Sequence, residues 1–327
     1  MTEKLKVIDL FCGAGGSSYG ARNAGVQIVA GFDMWGPAIQ TYKANFPQAK
    51  VFQSDITAYS SKDIREIKAV LGQIDIILAS PECTNHSRAK GAADKSEESR
   101  RTALEVVKFT TVFSPKWIIV ENVVEMQSWH RYDELLTTLR QLKYQVTPVV
   151  LNAVAFGVPQ SRKRLFILCS SSGEINIPTP TQDVIKPAQS IIDTSGKYNF
   201  SLVKKKGRAE RTIQSVERAI AALGSKTPFL LIYYGSARNS NGGWQSIEEP
   251  LRTITTLDRF AYVTPGSKGH LMRMLQPEEL KLAMGFKSDF QLSKVNGLTR
   301  RNRIKLMGNG VCPPVMQAIV ESLTSNS

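Results

Sequence analysis

The sequence predicts an α/β fold: a doubly wound, mostly parallel sheet, with a second, smaller domain after it. Three observations carry this. Through residue 169, short apolar runs alternate with segments of helical periodicity. The runs are continuous rather than alternating, as in strands covered on both faces. They also end in polar or glycine-rich residues, and ligands of such sheets collect outside the strands' carboxyl ends.

Residues 7–11 read as a buried strand running into Cys12-Gly-Ala-Gly-Gly16, with helical periodicity to about residue 24. Residues 26–33 form the second strand. Residues 37–45 form a helix with Pro37 in its first turn, where its missing N–H costs nothing. A short strand follows over 51–56 and an amphipathic helix over 62–71. Residues 74–79 are a strand that ends at Pro81-Glu-Cys83. A long helix over 97–113 leads to a strand over 117–122 with a polar end. A helix over 132–142 and strands over 145–152 and 164–169 complete the alternation. Residues 170–250 are rich in Ser, Gly, Pro and Lys, with short irregular strands such as 229–234. Helical pattern returns at 276–284 and 314–323. The expected division is residues 1–170 plus 305–327 as one domain and 171–304 as the smaller one.

The strand ends bring Asp9, Asp33, Asp55, Pro81-Glu-Cys83 and Glu121-Asn122 to one rim. Gly13 and Gly15 let backbone approach a ligand closely, although a tight structural turn explains them equally. The dinucleotide pattern needs glycine at 18, where Ser18 stands, so a smaller nucleoside suits the loop better, with Asp33 accepting from ribose hydroxyls. Cys83, at a polar strand end, has the placement of a nucleophile rather than of a core thiol. Glu121 beside it offers a carboxyl group able to protonate or grip a ring nitrogen.

The chain has 327 residues and a net charge of +14, which favours a polyanionic partner. Arg162-Lys163-Arg164 and Lys204-Lys205-Lys206-Gly207-Arg208 are the densest basic clusters of residues 160–230, though a solvated loop explains either one alone. No run approaches a membrane span, and the amino terminus lacks an apolar signal segment. Four scattered cysteines and three histidines make neither a disulfide framework nor a zinc pattern. A soluble protein of a reducing compartment is the expectation.

Taken together these residues resemble the DNA cytosine-5 methyltransferases, over nearly the whole chain and in that family's order. Asp9-Leu-Phe-Cys-Gly-Ala-Gly-Gly16 resembles the S-adenosyl-L-methionine loop, with Phe11 stacking on adenine. Asp33 and Met34 match the ribose ligand and the large adenine neighbour, and Asp55-Ile56 the adenine-binding pair. Pro81-Glu-Cys-Thr84 resembles the nucleophile motif and Glu121-Asn122-Val123 the Glu-Asn-Val motif. Gln160-Ser-Arg-Lys-Arg164 and Arg252-Thr-Ile-Thr-Thr256 resemble the motifs flanking the target-recognition region. Gly308-Asn309-Gly-Val311 resembles the segment that returns to the cofactor. Three positions depart: Glu82 replaces a proline, Thr84 a glutamine and Gly310 a serine. None removes a group the chemistry requires. Glu82 is expected to turn out of the pocket, toward backbone or a cation such as Arg88, because a carboxylate beside Cys83 disfavours its thiolate.

The resemblance implies a methyl transfer from S-adenosyl-L-methionine to C5 of a cytosine flipped out of double-stranded DNA, with S-adenosyl-L-homocysteine as product. Cys83 attacks C6, Glu121 holds N3, Arg164 contacts O2 or orders the pocket, Arg162 touches phosphate and Asn122 holds the Glu121 loop. Ser87 and Arg88 fall where the family has a mobile loop over the flipped base. Residues of about 171–250 become the target-recognition region, with Lys204, Lys205, Lys206 and Arg208 on phosphates. Tyr233, Tyr234, Arg238 and Asn239 are candidates for reading bases, and small-domain core explains the two tyrosines as well. The implied setting is a monomeric, cytoplasmic, nucleoid-associated protein of prokaryotic or phage type, with a cognate restriction endonuclease as candidate partner. A transfer RNA cytosine-5 methyltransferase on the same scaffold and a non-catalytic DNA-binding relative are the alternatives, the second disfavoured by intact Cys83, Glu121 and Arg164.

Overall fold

A computed structural model describes residues 3–82, 97–180, 185–234 and 243–325. The first part of the chain runs β1 (Lys6–Leu10), α1 (Gly16–Asn23), β2 (Gln27–Asp33), α2 (Gly36–Asn45), β3 (Lys50–Gln53), α3 (Ser61–Leu71), β4 (Ile76–Ala79), α4 (Glu97–Phe113) and β5 (Trp117–Asn122). It continues through α5 (Tyr132–Gln141), β6 (Gln145–Asn152) and β7 (Lys163–Ser170). These strands form one seven-stranded sheet in the order β3-β2-β1-β4-β5-β7-β6. All neighbours from β3 to β5 pair in parallel, while β7 runs against both β5 and β6.

The continuous apolar strands follow from burial on both faces. Along each strand successive side chains serve opposite cores. Ile8, Ile77, Ile118 and Val120 join the cluster with Val106, Phe109 and Leu135 of α4 and α5. Val7, Ile76, Leu78 and Ile119 join the other, with Tyr19, Tyr42 and Ile319. Pro148 is tolerated because β6 is an edge strand.

The remainder runs β8 (Ser201–Leu202), α6 (Glu210–Leu223), β9 (Phe229–Ile232), β10 (Trp244–Ser246), β11 (Phe260–Thr264), β12 (Leu271–Met274), α7 (Pro277–Ala283), α8 (Arg300–Asn309) and α9 (Pro313–Thr324). Its strands make a five-stranded antiparallel sheet, β10-β9-β11-β12-β8. One face packs on Val216 and Ala219 of α6. The other supplies Leu230, Ile232, Phe260 and Tyr262 to the core shared with α7, α8 and α9. A fully buried pair fastens β12 to α7: Arg273 Nη2 lies 2.6 Å from Glu279 Oε1, and Nη1 donates to Oε2 at 2.8 Å. Finally α9 returns to α1, so closely that a Cβ on Gly20 would stand 2.3 Å from the Pro313 carbonyl.

The alternation through residue 170 is found as expected, element by element. Expecting only short irregular strands in residues 170–250 was incomplete. Fourteen residues there form α6, with Thr212, Val216 and Ala219 buried. No helix among the described residues is long and apolar enough to cross a membrane.

Candidate functional site

A cavity of about 310 Å³ opens at the carboxyl ends of β1, β2, β4 and β5, where the strand order reverses between β1 and β4. Its first wall is the loop after β1. Phe11 and Gly13 adopt φ values of 59° and 53° there, and both line the cavity. The Gly13 N–H donates to Asp33 Oδ2 at 2.9 Å and the Trp35 N–H to Asp33 Oδ1 at 2.8 Å, which locks the loop after β1 to the end of β2. Burial raises the Asp33 pKa, against the pull of those N–H groups and of Lys305. Met34 and Trp35 continue this wall.

Two expectations for this loop need correction. Asp9 is fully buried behind the cavity rather than in it. Its Oδ2 accepts from Ser18 Oγ at 2.7 Å, and Ser18 Oγ also meets Tyr42 Oη at 2.7 Å. Burial pushes the Asp9 carboxyl up to about 7, so it anchors α1 instead of meeting a ligand. Ser18 thereby fills the place of the missing third glycine with a buried hydrogen-bond network. Gly15 faces away too: at φ 92° a Cβ would lie 2.4 Å from Phe46, so close packing on α2 requires the glycine. Asp55 and Ile56, expected at the adenine, follow β3 outside the residues that line this cavity. Asp55 Oδ1 is taken by the Thr57 N–H and hydroxyl at 2.9 and 2.8 Å, and Ile56 is buried in the core.

The loop after β4 brings Ser80, Pro81 and Glu82 to the cavity. Cys83, Thr84, Ser87 and Arg88 lie outside the described residues. Glu82 is exposed and borders the cavity. Glu121 and Asn122 end β5, exposed by only 6% and 1%. Asn122 Nδ2 donates to the Pro81 carbonyl at 3.2 Å, and its Oδ1 accepts from Val123 N–H at 2.8 Å. It therefore fastens the loop that leads to Cys83 as well as the one after Glu121.

Glu121 Oε1 lies 3.2 Å from Arg164 Nε at the start of β7. Burial raises the Glu121 pKa, and Arg164 and then Arg162 pull it down. Arg162 lines the same cavity. Only 3% exposed, it donates to the carbonyls of Ile254 (3.1 Å), Gly308 (2.8 Å) and Gly310 (2.9 Å). These bonds clamp the last wall, which α8 and its exit supply through Lys305, Asn309, Gly310 and Val311. Gly16 makes this wall fit, because a Cβ there would lie 2.3 Å from the Val311 carbonyl.

Trp35 and Lys305 were not singled out from the sequence. Asp33, two residues before Trp35 at the end of β2, was the available signal for the first. Lys305, one turn before Asn309 on α8, had none beyond that spacing.

The basic clusters divide. Lys205 and Lys206 are exposed after the edge strand β8. Lys204 Nζ pairs with Glu217 Oε1 at 2.7 Å. Arg208 gives Nη2 to Ser201 Oγ at 2.8 Å and the Leu202 carbonyl at 3.2 Å, which braces β8. Tyr234 donates its hydroxyl to the Thr253 carbonyl at 2.8 Å and packs edge-on to Phe260, which makes it core rather than a base reader. Tyr233 packs against the α6 cluster. Arg238 and Asn239 lie outside the described residues.

The type II methyltransferase M.AgeI of Thalassovita gelatinovora is 35% identical over 184 residues, 54% of this chain and 42% of that protein. M.HgiDI of Herpetosiphon aurantiacus is 34% identical over 176 residues, 52% of this chain and 54% of its own. The chain thus spans about half the length of these curated relatives. M.HindV of Haemophilus influenzae is 29% identical over 280 residues, covering 85% of this chain and 80% of that one. The solved structure of the Entamoeba histolytica methyltransferase EhMeth superposes with a TM-score of 0.71 at 16% identity, over 99% of both chains, which shows a shared fold. The model of the C-5 cytosine-specific DNA methylases matches residues 5–325, and the chain belongs to that family.

Proposed function

We propose that the chain methylates C5 of cytosine in a short duplex DNA site, using S-adenosyl-L-methionine. One observation carries the reading: a buried Glu121–Arg164 pair at the cavity floor, joined through Asn122 to the loop that leads to Cys83.

The donor set suits that cofactor. Phe11 and Trp35 are flat apolar walls for a purine. Asp33 has spent one acceptor position on each oxygen, leaving others for a ribose diol. Asn309 and Val311 close the far side. The cofactor would supply an activated methyl group bound to a sulfonium. The product, S-adenosyl-L-homocysteine, lacks that charge and would occupy the same walls.

The protein's own groups prepare the base. Cytosine in a duplex is out of reach, so it must leave the stack. The Cys83 thiolate forms a bond to C6 while Glu121 holds a proton at N3, which lets the ring accept the electron pair. The pair is then available at C5 for the methyl group. Loss of the C5 proton and departure of Cys83 restore the aromatic ring. Arg164 holds Glu121 in place and supports O2. The other described cysteines are poor candidates: Cys12, Cys169 and Cys312 are buried, with burial pushing Cys169 up to about 12 and Cys312 to about 11.

Residues 171–304 form the smaller domain in this reading, with target recognition in about 171–250 and phosphates met by Lys205 and Lys206, and by Lys204 once released from Glu217. A monomer acting in the nucleoid of a prokaryotic or phage setting belongs to the same proposal, as does a cognate restriction endonuclease, the one part that the names of the type II relatives support.

The test is a covalent trap with DNA carrying 5-fluorocytosine, whose fluorine cannot leave as a proton does. An adduct on Cys83, lost in Cys83→Ser, is expected. An adduct on Cys12 or Cys312, or none, refutes the assignment.

A further inference from the structure

Lys305 and Trp35 meet across the mouth of the cavity from 270 residues apart. Lys305 Nζ stands 4.5 Å from the centroid of the Trp35 indole, and both residues line the cavity. An ammonium over an indole face is held by the ring's quadrupole. Trp35 also gives its backbone N–H to Asp33, so one residue touches both the anion and the cation of this wall.

Asp33 needs a nearby cation. It is largely buried, and burial disfavours its charged form. The ionisable neighbours on β1 and its loop, Asp9 and Cys12, are both anionic when ionised, and each is electrostatically coupled to Asp33. From α8, Lys305 is the side chain whose charge favours ionised Asp33.

We propose that Lys305, seated on Trp35, is a positioning residue for the nucleoside end of the cofactor: it keeps Asp33 an anion that accepts from both ribose hydroxyls. The inference rests on the cofactor reading above. A protonated Asp33 would offer a donor where the diol also donates, and binding would weaken.

The test is calorimetric affinity for S-adenosyl-L-homocysteine from pH 5 to 8.5, in wild type, Lys305→Met and Lys305→Arg. Lys305 is exposed, so neither substitution opens the core. In Lys305→Met the acid limb, where affinity falls, should move up by roughly half a pH unit, about threefold in affinity on that limb. The shift should shrink in 1 M salt, which screens an exposed charge. Lys305→Arg should keep the wild-type profile. An unchanged profile in Lys305→Met, or an equal shift in Lys305→Arg, overturns this inference alone. Wild-type protein that does not bind S-adenosyl-L-homocysteine overturns the cofactor reading and this inference with it.

Discussion

Arg162→Met removes a guanidinium while keeping most of the apolar stem. Three carbonyls lose their donor at once: Ile254, Gly308 and Gly310, at 3.1, 2.8 and 2.9 Å. A hydrogen bond from a charged group contributes about 1.5–3 kcal/mol, so three amount to about 5 kcal/mol at the low end. Two effects reduce the loss. Arg162 borders the cavity, so water can reach part of the vacated space, and removing the charge relieves its own desolvation. A net destabilisation of about 3 kcal/mol is expected. With an unfolding entropy of about 2.1 cal/mol/K per residue, that corresponds to a fall of about 4 °C in Tm for a chain of this length. Thermal melting followed by circular dichroism, without DNA or cofactor, measures it. Arg162→Lys should recover only part, because one ammonium cannot reproduce a planar fork aimed at three acceptors. A Tm within about 1 °C of wild type, together with a weaker salt dependence of DNA binding, would show that Arg162 meets phosphate and refute the clamp.

Glu121→Gln should slow single-turnover methyl transfer at least about a hundredfold, with S-adenosyl-L-homocysteine affinity nearly unchanged; a loss below tenfold removes Glu121 from the proton transfer. Because burial raises the Glu121 pKa, its protonated form persists to higher pH than an ordinary glutamate's, and the rate it supports should fall as pH rises through the folded-state value. Asp9 has a folded-state pKa of about 7 against an ordinary 3.8, so the native state binds the proton more tightly. Stability should therefore be highest at the acid side of that window and fall by up to about 4 kcal/mol as pH rises through it. Urea denaturation of Asp9→Asn at pH 5 and 7.5 should lack that component; equal pH slopes in variant and wild type would contradict it. Replacing Lys205 and Lys206 together by Ala should flatten the salt dependence of duplex binding by about two units, and adding Lys204→Ala should change it less, since Lys204 already pairs with Glu217. A changed methylation site with an unchanged slope would mean that these lysines read bases.

Much of the fold was legible because it is locally encoded. A strand buried on both faces has to be apolar at every position, so Ile76–Ala79 and Trp117–Asn122 announce themselves, and a polar strand end such as Glu121-Asn122 marks the ligand rim. The helix α6 was harder to see. It carries five charged or amide side chains in Glu210–Leu223, and its apolar face finds partners only in the tertiary fold, Phe229 and Leu231 among them.

For this protein the sequence by itself determined the fold class, the family and which residue types stand at the rim, because periodicity and spacing record burial and chemistry along the chain. It did not distinguish a side chain at a motif position that lines the cavity from one that supports it. Asp9 and Arg162 both belong to motifs, yet one anchors α1 through Ser18 and the other binds the exit of α8. Only the tertiary structure decided that, and it alone brought Lys305 over Trp35. The reason is physical: a guanidinium or a carboxylate takes its role from the acceptors and donors within about 3 Å, and those are set by how α8 and α9 pack back against β1 and α1.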